Sequence, residues 1–389
     1  MKIGIVLSKP PAYSETFFIS KIKGLIDSGF EVILFVQKRD DTFSLCKVIQ
    51  APRVFKKKAL LILLSMVFVF VKLGITRSKR VLRFITLERN ANRSNFQILK
   101  NIYNKAHILQ ADLDWLHFGF ATMALQSELV AKAINAKMAV SLRGFDIDVY
   151  PLKHPGCYDL LWMHVDKVHA ISNYLLEKAY KQGLSREVAH QIINPAVDIT
   201  KFKIRKAPST NTLKILTIGR LHWIKGIIYT LEALALLKLK GVLFYCTIIG
   251  EGPDYEDIAF AIHQLGLKKE VNLLGKLPHD TIVDYLSVTD LYIQYSISEG
   301  FCNAVLEAQS MGGLCIVSDG GALPENIIHG KTGWVVPKRN PKELVKAILE
   351  VINLPEEKKL QIRGNAHQRI VDEFNIEKQQ KEYVDFYSI

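Results

Sequence analysis

Glu299 and Glu307 stand eight residues apart in SISEGFCNAVLEAQS, residues 296–310, and the stretch between them suits an anion. A strand-like run, DLYIQYS, ends in a turn at 298–300, and a helix is expected over about 302–311. Unpaired amides at Gly300, Phe301, Cys302 and Asn303 then lie at the helix start, where the dipole favours a phosphate. Eight helical residues span about 12 Å, comparable with the distance between the two ends of a nucleoside diphosphate sugar. One acid for a sugar and one for a ribose would account for both. Ordinary exposed acids at a helix start are the plain alternative.

Two further loops follow predicted strands of the same half. In GRLHWIKG, residues 219–226, Arg220 and Lys225 sit five apart after Gly219. A planar guanidinium fork and a point-charge ammonium suit a diphosphate. In GEGPDYE, residues 250–256, the glycines permit close backbone approach to a ligand, and Glu251 can accept hydrogen bonds from it. The third glycine of G-x-G-x-x-G is missing and the preceding strand is internal, which argues against a dinucleotide oxidoreductase.

Apolar runs alternating with amphipathic stretches position these loops. KIGIVLS, FFISKIKGLIDSG and EVILFV open the chain as strand, helix and strand, and LKILTIG at 213–219 restarts the pattern. At 389 residues the chain predicts an α/β protein of two doubly wound units. The polar stretch 201–212 is the expected linker. Five scattered cysteines without a C-x-x-C pair indicate neither a disulfide framework nor a thiolate metal site, and the amino terminus lacks the pattern of a secretory signal. A cytoplasmic setting is expected.

The net charge of +13 is concentrated: residues 51–105 hold thirteen Lys and Arg and one acid, Glu88. Within them a thirteen-residue apolar run, 59–71, is flanked by Lys56, Lys57 and Lys58 and by Lys72, Arg77, Lys79, Arg80 and Arg83. That run is shorter than the roughly 20 residues of a bilayer crossing, and it suits the plane of an anionic membrane surface over about 52–83. A buried core helix is the alternative. No nucleic-acid motif accompanies the charge, so nucleic acid is not an expected partner.

G-R-x(4)-K-G, G-x-G-P and E-G-F-x-N-x(3)-E-A, in this order, resemble the retaining family 4 glycosyltransferases of the GT-B fold. The resemblance continues through VHAISNYL (168–175) and INPAVDITKF (193–202), with Ala196 where glycine is usual. KPPAYSETFFISKIKGLIDSGFEV (9–32) resembles bacterial exopolysaccharide and colanic-acid-type members. It implies two Rossmann-like domains facing across a cleft: an acceptor-side domain at 1–200, a nucleotide-sugar donor domain at 201–370, and a helix at 371–389 crossing back. It implies that Arg220 and Lys225 neutralise the donor diphosphate, Glu307 holds the ribose and Glu299 faces the sugar, with no divalent metal and no other cofactor. The acceptor would be a glycan or a lipid-linked glycan at the inner face of the cell membrane.

The family's His-Gly-x-Asp is here Arg143-Gly144-Phe145-Asp146, and Arg143 can donate hydrogen bonds but cannot act as a base near neutral pH. His117 is the nearest other imidazole, and Glu15 and Asp146 are further acceptor-side carboxylates. Two D-x-D matches, Asp112 with Asp114 and Asp146 with Asp148, read as chance. Cys302 stands where proline is frequent. Two other classes stay open: a membrane-bound sugar-nucleotide scaffold silenced by Arg143, and a GT-B-fold hydrolase or epimerase acting on the nucleotide sugar alone.

Overall fold

The computed structural model describes residues 1–11, 16–40, 42–53, 59–200 and 212–388; Glu15, Lys56, Lys57, Lys58 and the linker stretch 201–211 lie outside the described residues. Two compact units result, Met1–Ile193 with Gln380–Ile389, and Asn194–Gln379. Residues 194–200, expected in the first domain, belong to the second unit. The Val197 amide donates to Phe374 O at 2.8 Å, and Gln379 Nε2 donates to Asn194 O at 2.6 Å.

The first unit is a seven-stranded parallel sheet of β1 (Lys2–Leu7), β2 (Glu31–Val36), β3 (Lys47–Gln50), β4 (Trp115–Phe118), β5 (Lys137–Leu142), β6 (Lys167–Ala170) and β7 (Ala189–Ile192). Its order is β3-β2-β1-β4-β5-β6-β7. The second holds β8 (Leu213–Ile218), β9 (Phe244–Ile249), β10 (Val271–Gly275), β11 (Leu291–Gln294), β12 (Leu314–Ser318) and β13 (Trp334–Val336), ordered β10-β9-β8-β11-β12-β13. Parallel strands need crossovers that cover both faces, which is why the strands read as near-continuous apolar runs. In each sheet the order reverses once, between β1 and β4 and between β8 and β11. Crevices for ligands open at such reversals, beyond the carboxyl ends of the strands.

The helices of the first unit include α1 (Thr16–Asp27), α2 (Ala59–Asn90) and α3 (Asn95–Leu109). The apolar run expected at 59–71 is part of a much longer helix. α2 has 32 residues, interrupted only at Arg77 (φ −143°, ψ 34°), and by length and composition it could cross a membrane. It is not a core helix. Leu60, Leu63, Leu64, Val67, Phe68 and Ile75 are exposed, and only a stripe including Leu73 and Phe84 is buried. The opposite side is tied down. Ser65 bonds the Tyr103 hydroxyl on α3 at 2.7 Å, and Arg77 and Arg80 both engage Asp112. Glu88, the single acid of the basic stretch, is fully buried, accepting from Arg93 at 2.8 Å and from Asn101 at 2.6 Å. Arg93 also donates to Glu128 at 2.6 Å, so one guanidinium serves two buried carboxylates.

The last helix, Ile376–Ser388, lays Tyr383, Phe386 and Tyr387 into the first unit's core with Trp115 and Phe18. There it meets a polar chain. His169 Nε2 lies 3.1 Å from Ile193 O, and a carbonyl only accepts, so this nitrogen carries the proton. His169 Nδ1 then accepts from Ser141 Oγ at 2.8 Å, Ser141 accepts from His117 Nε2 at 2.8 Å, and His117 Nδ1 accepts from Tyr387. Lys21 Nζ lies 3.1 Å from His117 Nδ1 and 3.4 Å from its Nε2, and one direction satisfies the chain from Tyr387 to Ile193 O with both imidazoles neutral. Burial, and then the positive charges of Lys21 and Arg143, push both imidazoles well below their ordinary range; burial followed by Arg143 does the same to the Lys21 amine. His117 is therefore an internal residue. Its complete burial corrects the expectation that it reaches an acceptor.

This core makes two outcomes testable. Phe386→Ala leaves a cavity beside Trp115, His117 and Tyr387 and should cost about 3–5 kcal/mol in urea unfolding; a loss under about 1 kcal/mol would show that the helix is not docked there. His117 and His169 are neutral when folded but bind protons below about pH 6.5 when unfolded. The unfolded state thus takes up protons as pH falls, and stability drops by about 1.4 kcal/mol per pH unit for each imidazole. The urea midpoint should fall steeply from pH 7.5 to pH 5. A flat profile would mean that the imidazoles are already charged in the fold.

Candidate active site

The reversal between β8 and β11 brings together two loops that are far apart in the chain. Lys225 ends a single 3-10 turn, Trp223–Lys225, after β8, and Glu299 lies five residues beyond β11. The loops interlock through backbone. Ile297 N donates to Ile224 O at 2.7 Å, and Gly226, at φ 63°, passes so close to Tyr295 O that a Cβ would lie 2.1 Å from it. Only glycine fits there.

This packing sets Lys225 Nζ on Glu299 Oε1, with the two side chains 18% and 11% exposed. Burial alone would lower the lysine pKa; the Glu299 carboxylate outweighs it and holds the amine above its ordinary value. Glu299 is also aimed by a relay that the motifs do not contain. The Tyr292 hydroxyl donates to Gln294 Oε1 at 2.8 Å, Gln294 Nε2 to Ser296 Oγ at 2.8 Å, and Ser296 Oγ to Glu299 Oε1 at 2.9 Å. A signal for these residues was present: Tyr292, Gln294 and Ser296 are polar at every second position of a buried strand, and so share one face.

Glu307 projects from the helix Asn303–Ser310 and meets His279 Nε2 at 3.3 Å, with both side chains partly exposed. His279, at the start of the helix His279–Ser287 after β10, was not singled out by sequence. Arg220 is exposed and forms no ion pair among the described residues. Glu251 is exposed as well, 3.6 Å from Lys276.

Two expectations are refined. The fold itself requires Gly250: at φ 152° it packs where a Cβ would lie 1.8 Å from the carbonyl oxygen of Gly219, the residue directly after β8. The helix start is also not a row of open amides. Cys302 N donates to Asn326 Oδ1 at 3.1 Å, and Asn326 Nδ2 returns a bond to Cys302 O at 3.1 Å. Phe301 packs on Phe374 at 5.6 Å. The Cys302 thiol is buried and its pKa is pushed up to about 12, by burial first and then by Glu299, so it is an inert packing group. Of the expected phosphate positions, the Cys302 amide is thus already bonded, while Gly300 and Asn303 flank it.

In the first unit, Arg143 follows β5. Its guanidinium lies 3.9 Å from the Phe17 ring centroid and its Nε donates to Gly119 O at 3.2 Å, so rings and a carbonyl hold it at the sheet's carboxyl edge. Asp146 is buried and accepts from Thr122 Oγ1 at 2.6 Å, which makes it an anchor for the turn after β4 and not an acceptor-facing carboxylate. Burial raises its pKa, partly offset by the Thr122 bonds. The two D-x-D pairs diverge. Asp148 pairs with Lys178 and accepts from Tyr174 at 2.9 Å, and Asp114 accepts from Lys2 N at 2.7 Å. Among the described residues, no three His, Cys, Asp or Glu side chains gather as a metal site would require.

Residues 198–369 match the model of a family described as glycosyl transferases group 1. Over 96% of both chains, the protein is 27% identical to WcaL of Escherichia coli strain K12, a glycosyltransferase named for colanic acid biosynthesis. It is 25% identical to the amylovoran biosynthesis glycosyltransferase AmsK of Erwinia amylovora over 90% of both. The solved structure of Anabaena Alr3699/HepE with UDP-glucose superposes with a TM-score of 0.73 at 17% identity, covering 100% of this chain and 99% of that one. Two parallel sheets of this kind, relatives named as glycosyltransferases over nearly the whole chain, and a glycosyl transferases group 1 match across residues 198–369 identify the chain as a glycosyltransferase of the GT-B fold.

Proposed function

We propose that this glycosyltransferase moves a sugar from a nucleoside diphosphate sugar to a glycan or lipid-linked acceptor, with retention at the anomeric carbon and without a divalent metal. The observation that carries the reading is the Lys225–Glu299 pair at the reversal of the second sheet, with Arg220 on the same loop and in no ion pair among the described residues. The UDP-glucose in the HepE structure and the polysaccharides for which WcaL and AmsK are named support a nucleotide-sugar donor and a cell-surface polysaccharide product.

The chemistry needs charge compensation more than proton transfer. As the sugar–phosphate bond breaks, negative charge grows on the leaving diphosphate; the Lys225 ammonium, held by Glu299, is fixed beside it in advance, and the exposed Arg220 guanidinium on the same loop turns onto it. Glu299, held by Ser296 and Gln294, accepts hydrogen bonds from sugar hydroxyls. Glu307 accepts from the ribose, with His279 holding its carboxylate. The acceptor hydroxyl attacks on the face that the phosphate leaves, and the departing phosphate oxygen takes its proton, which is how the stereochemistry is retained without an enzyme nucleophile. Arg143 orients a sugar or phosphate as a donor only.

The membrane enters through α2. Its outward apolar face is followed by Lys72, Lys79, Arg83 and Arg89, and the segment's single acid, Glu88, is turned inward. The other side of the helix is bonded to α3 and Asp112, so lipid cannot sheathe it all round, which favours lying in the interface over spanning. The protein then works in the cytoplasm, peripheral to the inner face of the membrane.

A panel of nucleoside diphosphates and nucleotide sugars, read by ligand-observed NMR in EDTA, tests the donor site. One class should bind to the wild type and weaken by about tenfold or more in Glu307→Ala, whereas Lys225→Ala should lower kcat by about a hundredfold or more. No binding by the wild type would remove the diphosphate reading. Binding that returns only with added divalent metal would remove the metal-free one.

A further inference from the structure

We propose that the groove between α2 and the edge strand β3 is a site for the phosphate headgroup of an anionic glycerophospholipid. The inference rests on the membrane reading of α2 and deepens it, from a charged surface to a built site.

The groove encloses about 580 Å³ and lies in the first unit. Three ammonium groups line it, Lys2 at the start of β1, Lys47 at the start of β3 and Lys72 on α2. Lys2 shares its charge with Glu31 at 2.9 Å, but Lys47 and Lys72 form no ion pair among the described residues. One acid lines the groove, Asp112, and it is already engaged by Arg77 and Arg80. The net field inside is therefore positive, and two of its cations lack a counter-ion among the described residues.

Part of the lining is apolar: it includes Ile49 of β3 and Phe68 and Val69 of α2, and Phe68 belongs both to the groove and to the exposed apolar face of the helix. A free phosphate would use the lysines and leave these walls idle; a lipid uses both, with its chains running from Phe68 toward Leu64 and Leu60. His107 completes the lining. Its Nδ1 is buried with no hydrogen-bond partner among the described residues, and burial, with Lys105 adding to it, lowers its pKa to about 3. A neutral imidazole adds no charge to the lining.

The test uses the full chain and short-chain phosphatidylglycerol below its micellar concentration, with short-chain phosphatidylcholine and inorganic phosphate as comparisons. The wild type should bind phosphatidylglycerol in preference to both. Lys47→Gln with Lys72→Gln should weaken that binding by about tenfold or more, while Lys79→Gln with Arg89→Gln, two exposed cations outside the groove, should change it less than about twofold. Equal weakening by both pairs, or no preference over phosphatidylcholine, overturns the site, and tight binding of inorganic phosphate alone would reassign it to a free anion. Cosedimentation with phosphatidylglycerol vesicles separates the two levels: none by the wild type removes the membrane reading, whereas cosedimentation that the Lys47/Lys72 variant leaves unchanged removes the groove alone.

Discussion

A cation taken out of water must find an anion or give up its proton, and both units of this protein are organised around that constraint. Lys225 keeps its charge because the crossing of two loops delivers Glu299 to it. Arg93 keeps its charge between Glu88 and Glu128, and so fixes the far end of α2. Lys21 has no carboxylate beside it among the described residues. Burial, and then Arg143, lower its pKa, and it sits 3.1 Å from His117 Nδ1 at one end of a hydrogen-bonded chain that runs to Ile193 O. The first arrangement leaves a paired, charged group at the carboxyl edge of the second sheet. The other two are internal and serve only the fold.

The donor-side geometry depends on backbone approach as much as on charge. Gly226 and Gly250 let the loops after β8, β9 and β11 run against one another with no side chain between. That closeness puts residues from separate crossovers within hydrogen-bond reach, which gives the glycines of these loops a reason in the fold. Glu299 is then steered by Tyr292, Gln294 and Ser296, a relay whose donor directions are all determined. A carboxylate fixed in advance in this way has little rotamer freedom left to lose.

α2 shows the opposite economy of structure. Nearly all of its residues from 60 to 75 are apolar, yet only one stripe is covered by the protein. Leaving Leu60, Leu63, Leu64, Val67 and Phe68 in water is unfavourable by the ordinary hydrophobic term, and a patch of that size marks a surface meant for something else. The cations that follow it on the same helix, with Glu88 turned inward, give the patch an electrostatic sign.

Sequence alone determined the alternation of strands and helices, the two-unit α/β class and the three loops that carry Arg220, Lys225, Glu299 and Glu307, because periodicity and loop composition are local properties. It also located the basic apolar segment. Only the tertiary structure decided which groups meet. His117 and Asp146 read as edge residues but are buried, since the Ile376–Ser388 helix and the turn at Thr122 cover them. The Cys302 amide reads as open but is closed by Asn326, 24 residues away, and His279 joins Glu307 from another crossover. Burial and pairing across a parallel sheet depend on contacts between distant residues, and a chain read in order holds the partners without showing which of them the fold will bring together.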